Sequence, residues 1–125
     1  MIGPVTARDA LVVMAFGPAF RRSDAREVGR RVRDGAASGA RAFVVDLTRA
    51  TVISEAHLVL ALLGLRSELE RRSARLVVAA ERPLARRIGT SLRFDAVLGA
   101  ASSREQAIGL ALDPPPPRRQ SPGSL

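Results

Sequence analysis

The chain has 125 residues, 46% hydrophobic and 26% charged, which is enough apolar material for one packed domain and excludes wholesale disorder. With no cysteine and a single histidine, His57, disulfides, thiolate metal sites and multi-histidine metal sites are excluded. The formal charge of +8 rests on arginine alone, and its 20 arginines are dispersed along the chain, so they read as a solvated basic surface; the absence of Trp and Tyr argues against a stacking platform for single-stranded nucleic acid.

Residues 1–9 lack a charged start followed by a continuous apolar stretch, so no secretory signal is expected. The longest apolar run, residues 58–65, is eight residues long, whereas a membrane helix needs about 20. A cytoplasmic protein with no membrane partner is the expectation. Residues 10–16 (ALVVMAF), closed by Gly17-Pro18, predict a buried strand. Ser23 is suited to cap a helix, with Asp24 at the positive end of its dipole. Ala25, Val28, Val32 and Ala36 form its apolar stripe, and Gly35 and Gly39 stop it. On its wet face Glu27 can pair with Arg31 one turn on.

Residues 42–47 (AFVVDL) predict a central strand covered by helices, because their apolar residues are consecutive. A brief extended segment, 51–53, leads to Ser54, which is expected to cap a helix over residues 55–72. Leu58, Leu62, Leu65 and Leu69 make its core stripe. Val59, Leu60 and Leu63 widen that stripe beyond what a one-sided surface helix needs, as in a helix that also meets a partner. Residues 75–80 (RLVVAA) are a third strand, and Pro83 suits the first turn of a short helix ending at Leu92. A last strand is expected at 96–98 and a last helix after Ser102 and Ser103, with Glu105 in its first turn. From Asp113 onward Pro114 to Pro117, Arg118-Arg119 and Ser-Pro-Gly cannot build a core. Strands alternating with helices predict an α/β fold: about four strands in a mostly parallel sheet, with four helices. The domain is expected over 1–112, followed by a disordered Pro/Arg-rich basic tail over 113–125 whose arginine pair could attract a polyanion without specificity.

Chemistry is best sought at the carboxyl end of the central strand, where it runs into a helix start. That segment is Ser54-Glu55-Ala56-His57. A hydrolase built on Ser54, His57 and Asp46 lacks a glycine-flanked nucleophile and an evident carboxylate orienting the imidazole, so Ser54 reads as a cap and His57 as a first-turn polar residue. No glycine-rich phosphate loop or dinucleotide fingerprint occurs, and no cofactor is expected. Arg71-Arg72 and Arg86-Arg87 read as solvated helix faces.

Residues 8–112 resemble the STAS domain in its small stand-alone form, the anti-sigma factor antagonist. Those domains carry an apolar strand ending in Asp-Leu, then an Asp-Ser-Ser-Gly-Leu signature opening a helix. Val44-Val45-Asp46-Leu47 matches the strand end, and Ser54-Glu55-Ala56-His57-Leu58 falls on the signature without gaps. The resemblance implies a non-enzymatic regulatory interaction module. Its partners would be an anti-sigma factor or switch-protein kinase, or other STAS domains, including a second copy as a homodimer. It implies a partner-binding surface made of Ser54, Glu55, Ala56, His57 and Leu58, helped by Arg93 and Phe94. In switching members the second serine of the signature accepts a phosphate from the partner kinase. Here that position is Ala56, which has no hydroxyl. Glu55 stands at the first serine and His57 at the glycine. The alternative is a small-ligand or nucleic-acid-binding module using the basic surface.

Overall fold

The computed structural model describes residues 2–8 as backbone, and residues 11–92 and 97–112 in full. The hairpin of β1 (Ile2–Arg8) and β2 (Leu11–Phe16) is antiparallel. From β2 the chain passes through the two-residue strand β3 (Ala19–Phe20) into α1 (Arg22–Ala37). Next come β4 (Ala42–Asp46), the short β5 (Val52–Ile53) and α2 (Glu55–Arg71). The rest is β6 (Arg75–Ala79), α3 (Arg82–Leu92), β7 (Leu98–Ala101) and α4 (Arg104–Leu112). The main sheet has the order β1-β2-β4-β6-β7, and β2, β4, β6 and β7 are mutually parallel. The α/β fold, its parallel strands and its four helices follow the expectation. Among the described residues the sheet gains a fifth strand, the antiparallel edge β1.

The edge strand escaped the sequence because Gly3 and Pro4 interrupt it. Its pairing with β2 shifts register between Ile2 and Val5, across those two residues. Proline has no amide to donate and is tolerated at an outer edge. The expected strand at 96–98 runs instead over Leu98–Ala101. Register against β6 decides this: Leu76 pairs with Leu98 and Ala79 with Ala101, although Gly-Ala-Ala is poor strand material. Ala96 and the expected tail lie outside the described residues.

Side chains of the central strands alternate between two cores. Val12, Met14, Phe43, Val45, Leu76 and Val78 face α1, α2 and α3. Leu11, Val13, Val44, Val77 and Ala79 face α4, through Ala107 and Ala111. Both faces are covered, which is why β4 and β6 read as continuous apolar runs. In α2, Leu58, Leu62, Leu65 and Leu69 are fully buried. Each contributes about 1.5–3 kcal/mol by leaving water.

Helix α1 begins one residue before the expected Ser23 cap. Its N-cap is Arg21, whose backbone N–H donates to the Asp24 carboxylate at 2.8 Å. The acid at the third helical position thus accepts from the N-cap amide, the reciprocal bond of a capping box, while the Arg21 side chain offers the helix amides no acceptor as a serine would. Both long helices end in the same six-residue bonding pattern. Gly39 donates to Ala36 and Ala40 to Gly35 after α1, while Ser73 donates to Glu70 and Ala74 to Leu69 after α2. The residue in the left-handed region is Gly39 in the first case (φ 104°) and Ser73 in the second (φ 53°). Only the serine carries a Cβ penalty there. Ser73→Gly is therefore expected to raise unfolding free energy by up to about 1 kcal/mol, and Gly39→Ala to lower it by about as much, both read by urea denaturation.

Candidate functional site

The edge at the carboxyl ends of the parallel strands is stitched together before α2 begins. Parallel pairing of β3 with β5 sets Ala19 beside Val52 and Phe20 beside Ile53. The Thr51 and Val52 amides donate to the Pro18 carbonyl at 2.8 and 3.0 Å, and the Ser54 amide donates to the Phe20 carbonyl at 2.8 Å. The start of α2 is thereby fixed next to the start of α1. Asp46, at the end of β4, is buried. Its carboxylate accepts from the Thr48 amide at 2.9 Å and the Thr48 hydroxyl at 2.6 Å, and lies 3.8 Å from the Arg104 guanidinium. It anchors the loop after β4 to the start of α4.

Ser54 is the residue preceding α2, yet its hydroxyl caps no backbone amide. It lies 2.5 Å from His57 Nδ1 instead. The expected side-chain cap is thus replaced by a local serine–imidazole pair. Among the described residues no carboxylate meets that imidazole, and Asp46 is engaged by Thr48 and Arg104. The hydrolase arrangement does not assemble.

Ser54 and Glu55 are half-buried, and Ala56 and His57 are exposed. Leu58 corrects the expected surface. It is fully buried, the first of the four core leucines, and lies beneath the edge rather than on its surface. Arg93 and Phe94 lie outside the described residues. Glu55 reaches across to α3, where Arg87 Nε lies 3.2 Å from both carboxylate oxygens and Nη2 lies 3.1 Å from Oε1. Hydrogen bonding to Glu55, and then its charge, hold the Arg87 guanidinium above its ordinary pKa. Arg87 is thus no free solvated cation, and the charge of Glu55 is answered. The pair is open to water, so it orients the two helices more than it stabilises them.

Beside this pair lies a cleft of about 380 Å³. Its walls include Leu47, Ile53, Leu84, Glu55, Glu81 and Arg87. Sequence reading missed both the cleft and the cross-helix pair. The partners are 32 residues apart, and the only visible signal was an arginine doublet on a short helix.

No family model matches the sequence, and no curated protein matches it. Solved structures do match. The anti-sigma factor antagonist SpoIIAA, in its unphosphorylated form, superposes with a TM-score of 0.67 at 16% identity, over 90% of this chain and 99% of that one. The chain has the STAS-like fold. An anti-sigma factor antagonist from Mycobacterium paratuberculosis gives a TM-score of 0.67 at 18% identity, over 90% of this chain and 96% of that one. An uncharacterised DUF3478-family protein with a SpoIIAA-like fold, from Shewanella loihica, gives 0.54 at 12% identity, over 89% and 92%. In this STAS-like domain Ala56 is exposed in the first turn of α2. Among the described residues no helix is long and apolar enough to cross a membrane.

The two serine positions ahead of α2 and α4 make a direct comparison. Ser103 Oγ accepts the Gln106 amide at 3.1 Å, a working side-chain cap. Ser103→Ala is expected to cost about 1 kcal/mol, and Ser54→Ala less than about 0.5 kcal/mol, since only the first strips an acceptor from helix amides. Paired chemical denaturation curves check this.

Proposed function

We propose that this STAS-like domain is a non-enzymatic regulatory protein-interaction module of the anti-sigma factor antagonist type, acting in the cytoplasm. It docks through the edge formed by Ser54, Glu55, Ala56 and His57, seated on Leu58, with Arg93 and Phe94 as the expected neighbours. Its partner is an anti-sigma factor or switch-protein kinase, or another STAS domain. The observation that carries this reading is the exposed methyl of Ala56 at the helix start, where switching relatives of this fold present a hydroxyl.

Ala56 cannot accept a phosphoryl group. A phosphate there would add about −1.5 to −2 charges to a partner-facing edge. The edge instead holds a fixed acid, Glu55, already neutralised by Arg87. The hydroxyl nearest in sequence, that of Ser54, is engaged by His57. The edge is therefore constant in charge and shape, and regulation must come from the supply or state of the partner. His57 adds an imidazole where glycine would allow close backbone approach, so the partner surface differs from that of glycine-bearing relatives.

The cleft favours a second reading, a small-ligand module. A molecule held there would leave Ala56 and His57 untouched, and substitution at those two positions separates the readings.

The test uses the anti-sigma factor kinases of the producing organism, purified one by one. One of them is expected to bind the full chain, and incubation with that kinase and ATP is expected to leave residues 54–58 without phosphate by peptide mass spectrometry. Glu55→Arg is expected to weaken binding at least tenfold in calorimetry. The charge-swapped pair Glu55→Arg with Arg87→Glu keeps the ion pair and isolates the loss of contact. A phosphate on Ser54, or affinity unchanged in both variants, overturns the reading.

A further inference from the structure

Helix α2 carries a second stripe that the core does not use. Ala56, Leu60, Leu63 and Ser67 repeat at intervals of four, three and four, the same spacing as the buried leucines. The two stripes are offset by two residues, about 200° around the helix, so the second points away from the sheet. Leu60 is 67% exposed and Leu63 42% exposed, and Gly64 beside them is also exposed. They are two of the four exposed large hydrophobic residues described, and both lie on this one ridge, which begins at Ala56.

The ridge is bordered by positive charge. Arg72, at the end of α2, donates to the Ala36 carbonyl of α1 at 3.2 Å; Arg66 donates to the Leu92 carbonyl of α3 at 2.6 Å. Helix α2 therefore runs between α1 and α3. Helix α1 has five arginines against three acids, and α3 has three arginines and no acid. On the opposite face of the sheet, α4 has one of each. Among the described residues Glu70, exposed at the far end of the ridge, meets no cation, whereas two other acids of this side are engaged. Glu27 is held by Arg30 and Arg31, and Glu68 by Arg72 and Arg71, and these contacts keep both carboxyls below their ordinary pKa. Arg22, Arg26 and Arg33 on α1 and Arg86 on α3 remain exposed.

We propose that this face, leucines in the middle and arginines on both sides, is the seat for an acidic amphipathic helix of a partner protein. The proposal rests on the docking reading above and adds the chemistry of the occupant. An apolar stripe on that helix would cover Leu60 and Leu63, and its flanking Asp and Glu would meet α1 and α3. The other occupants fit less well. A second copy would bring arginine rows against arginine rows in a chain of charge +8. A nucleic-acid backbone wants cations where the leucines stand, and no Trp or Tyr exists to stack a base. A membrane-surface face carries aromatic anchors, whereas among the described residues every phenylalanine, Phe16, Phe20 and Phe43, is in the core.

The probe is a displayed library of helical peptides with randomised surface positions, selected on the immobilised full chain. Selected peptides are expected to pair an apolar stripe with bordering Asp and Glu. Leu60→Ser with Leu63→Ser, both solvent-facing and checked by an unchanged melting curve, is expected to cut retention at least tenfold. Arg26→Gln with Arg33→Gln is expected to weaken the selected peptides and flatten their salt dependence. Selection of basic or neutral peptides, no enrichment, equal retention by the leucine variant, or tighter binding to phosphatidylglycerol vesicles or duplex DNA than to the selected peptide would each overturn the proposal. Acidic helices selected while no anti-sigma kinase binds would sink the functional reading and leave this surface standing. A bound kinase indifferent to the leucine variant would do the reverse.

Discussion

The rotation of α2 about its own axis is the constraint from which the rest follows. Four leucines lock into the sheet side of the core, and a helix has no freedom left once one stripe is fixed. Burying Leu58, Leu62, Leu65 and Leu69 turns Ala56, Leu60 and Leu63 outward and sends Glu55 and Arg66 toward α3. A slip of one residue would move every one of these by about 100°. The core thus sets the outer surface as firmly as it sets itself.

The start of the same helix is held from three directions. Backbone pairing of β3 with β5 ties it to the start of α1, the Glu55–Arg87 pair ties it to α3, and Asp46 ties the preceding loop to α4. None of these contacts is strong alone, and the ion pairs are wet. Their value is positional. A docking edge that does not need to reorganise loses less freedom on binding.

Chemically this edge is quiet. It presents the methyl of Ala56, a serine paired with an imidazole, and an acid paired with a guanidinium. On the docking reading proposed above, recognition falls to shape and to the long-range field. Among the described helices the arginine excess lies on α1 and α3 and is absent from α4.

The amino-acid sequence by itself determined the α/β order, the three continuous apolar strands, the core stripe of α2 and the absence of a hydroxyl at Ala56, because each is a local matter of periodicity or of one side chain. It even showed that α2 is apolar too far round, at Leu60 and Leu63. It did not show β1, because Gly3 and Pro4 hide a strand whose pairing is supplied by a neighbour, nor the shift of β7, which register against β6 decides. Leu58 stood both in the core stripe and in the signature segment, and its burial accords with the first of these, because signature position and burial are different properties. Only the tertiary structure decided who meets whom: Glu55 with Arg87, Ser54 with His57 rather than with its own helix, and the arginines of two separate helices on either side of one ridge. These are contacts between groups far apart in sequence, or choices between equally available partners, and they exist only once packing has fixed where each helix stands.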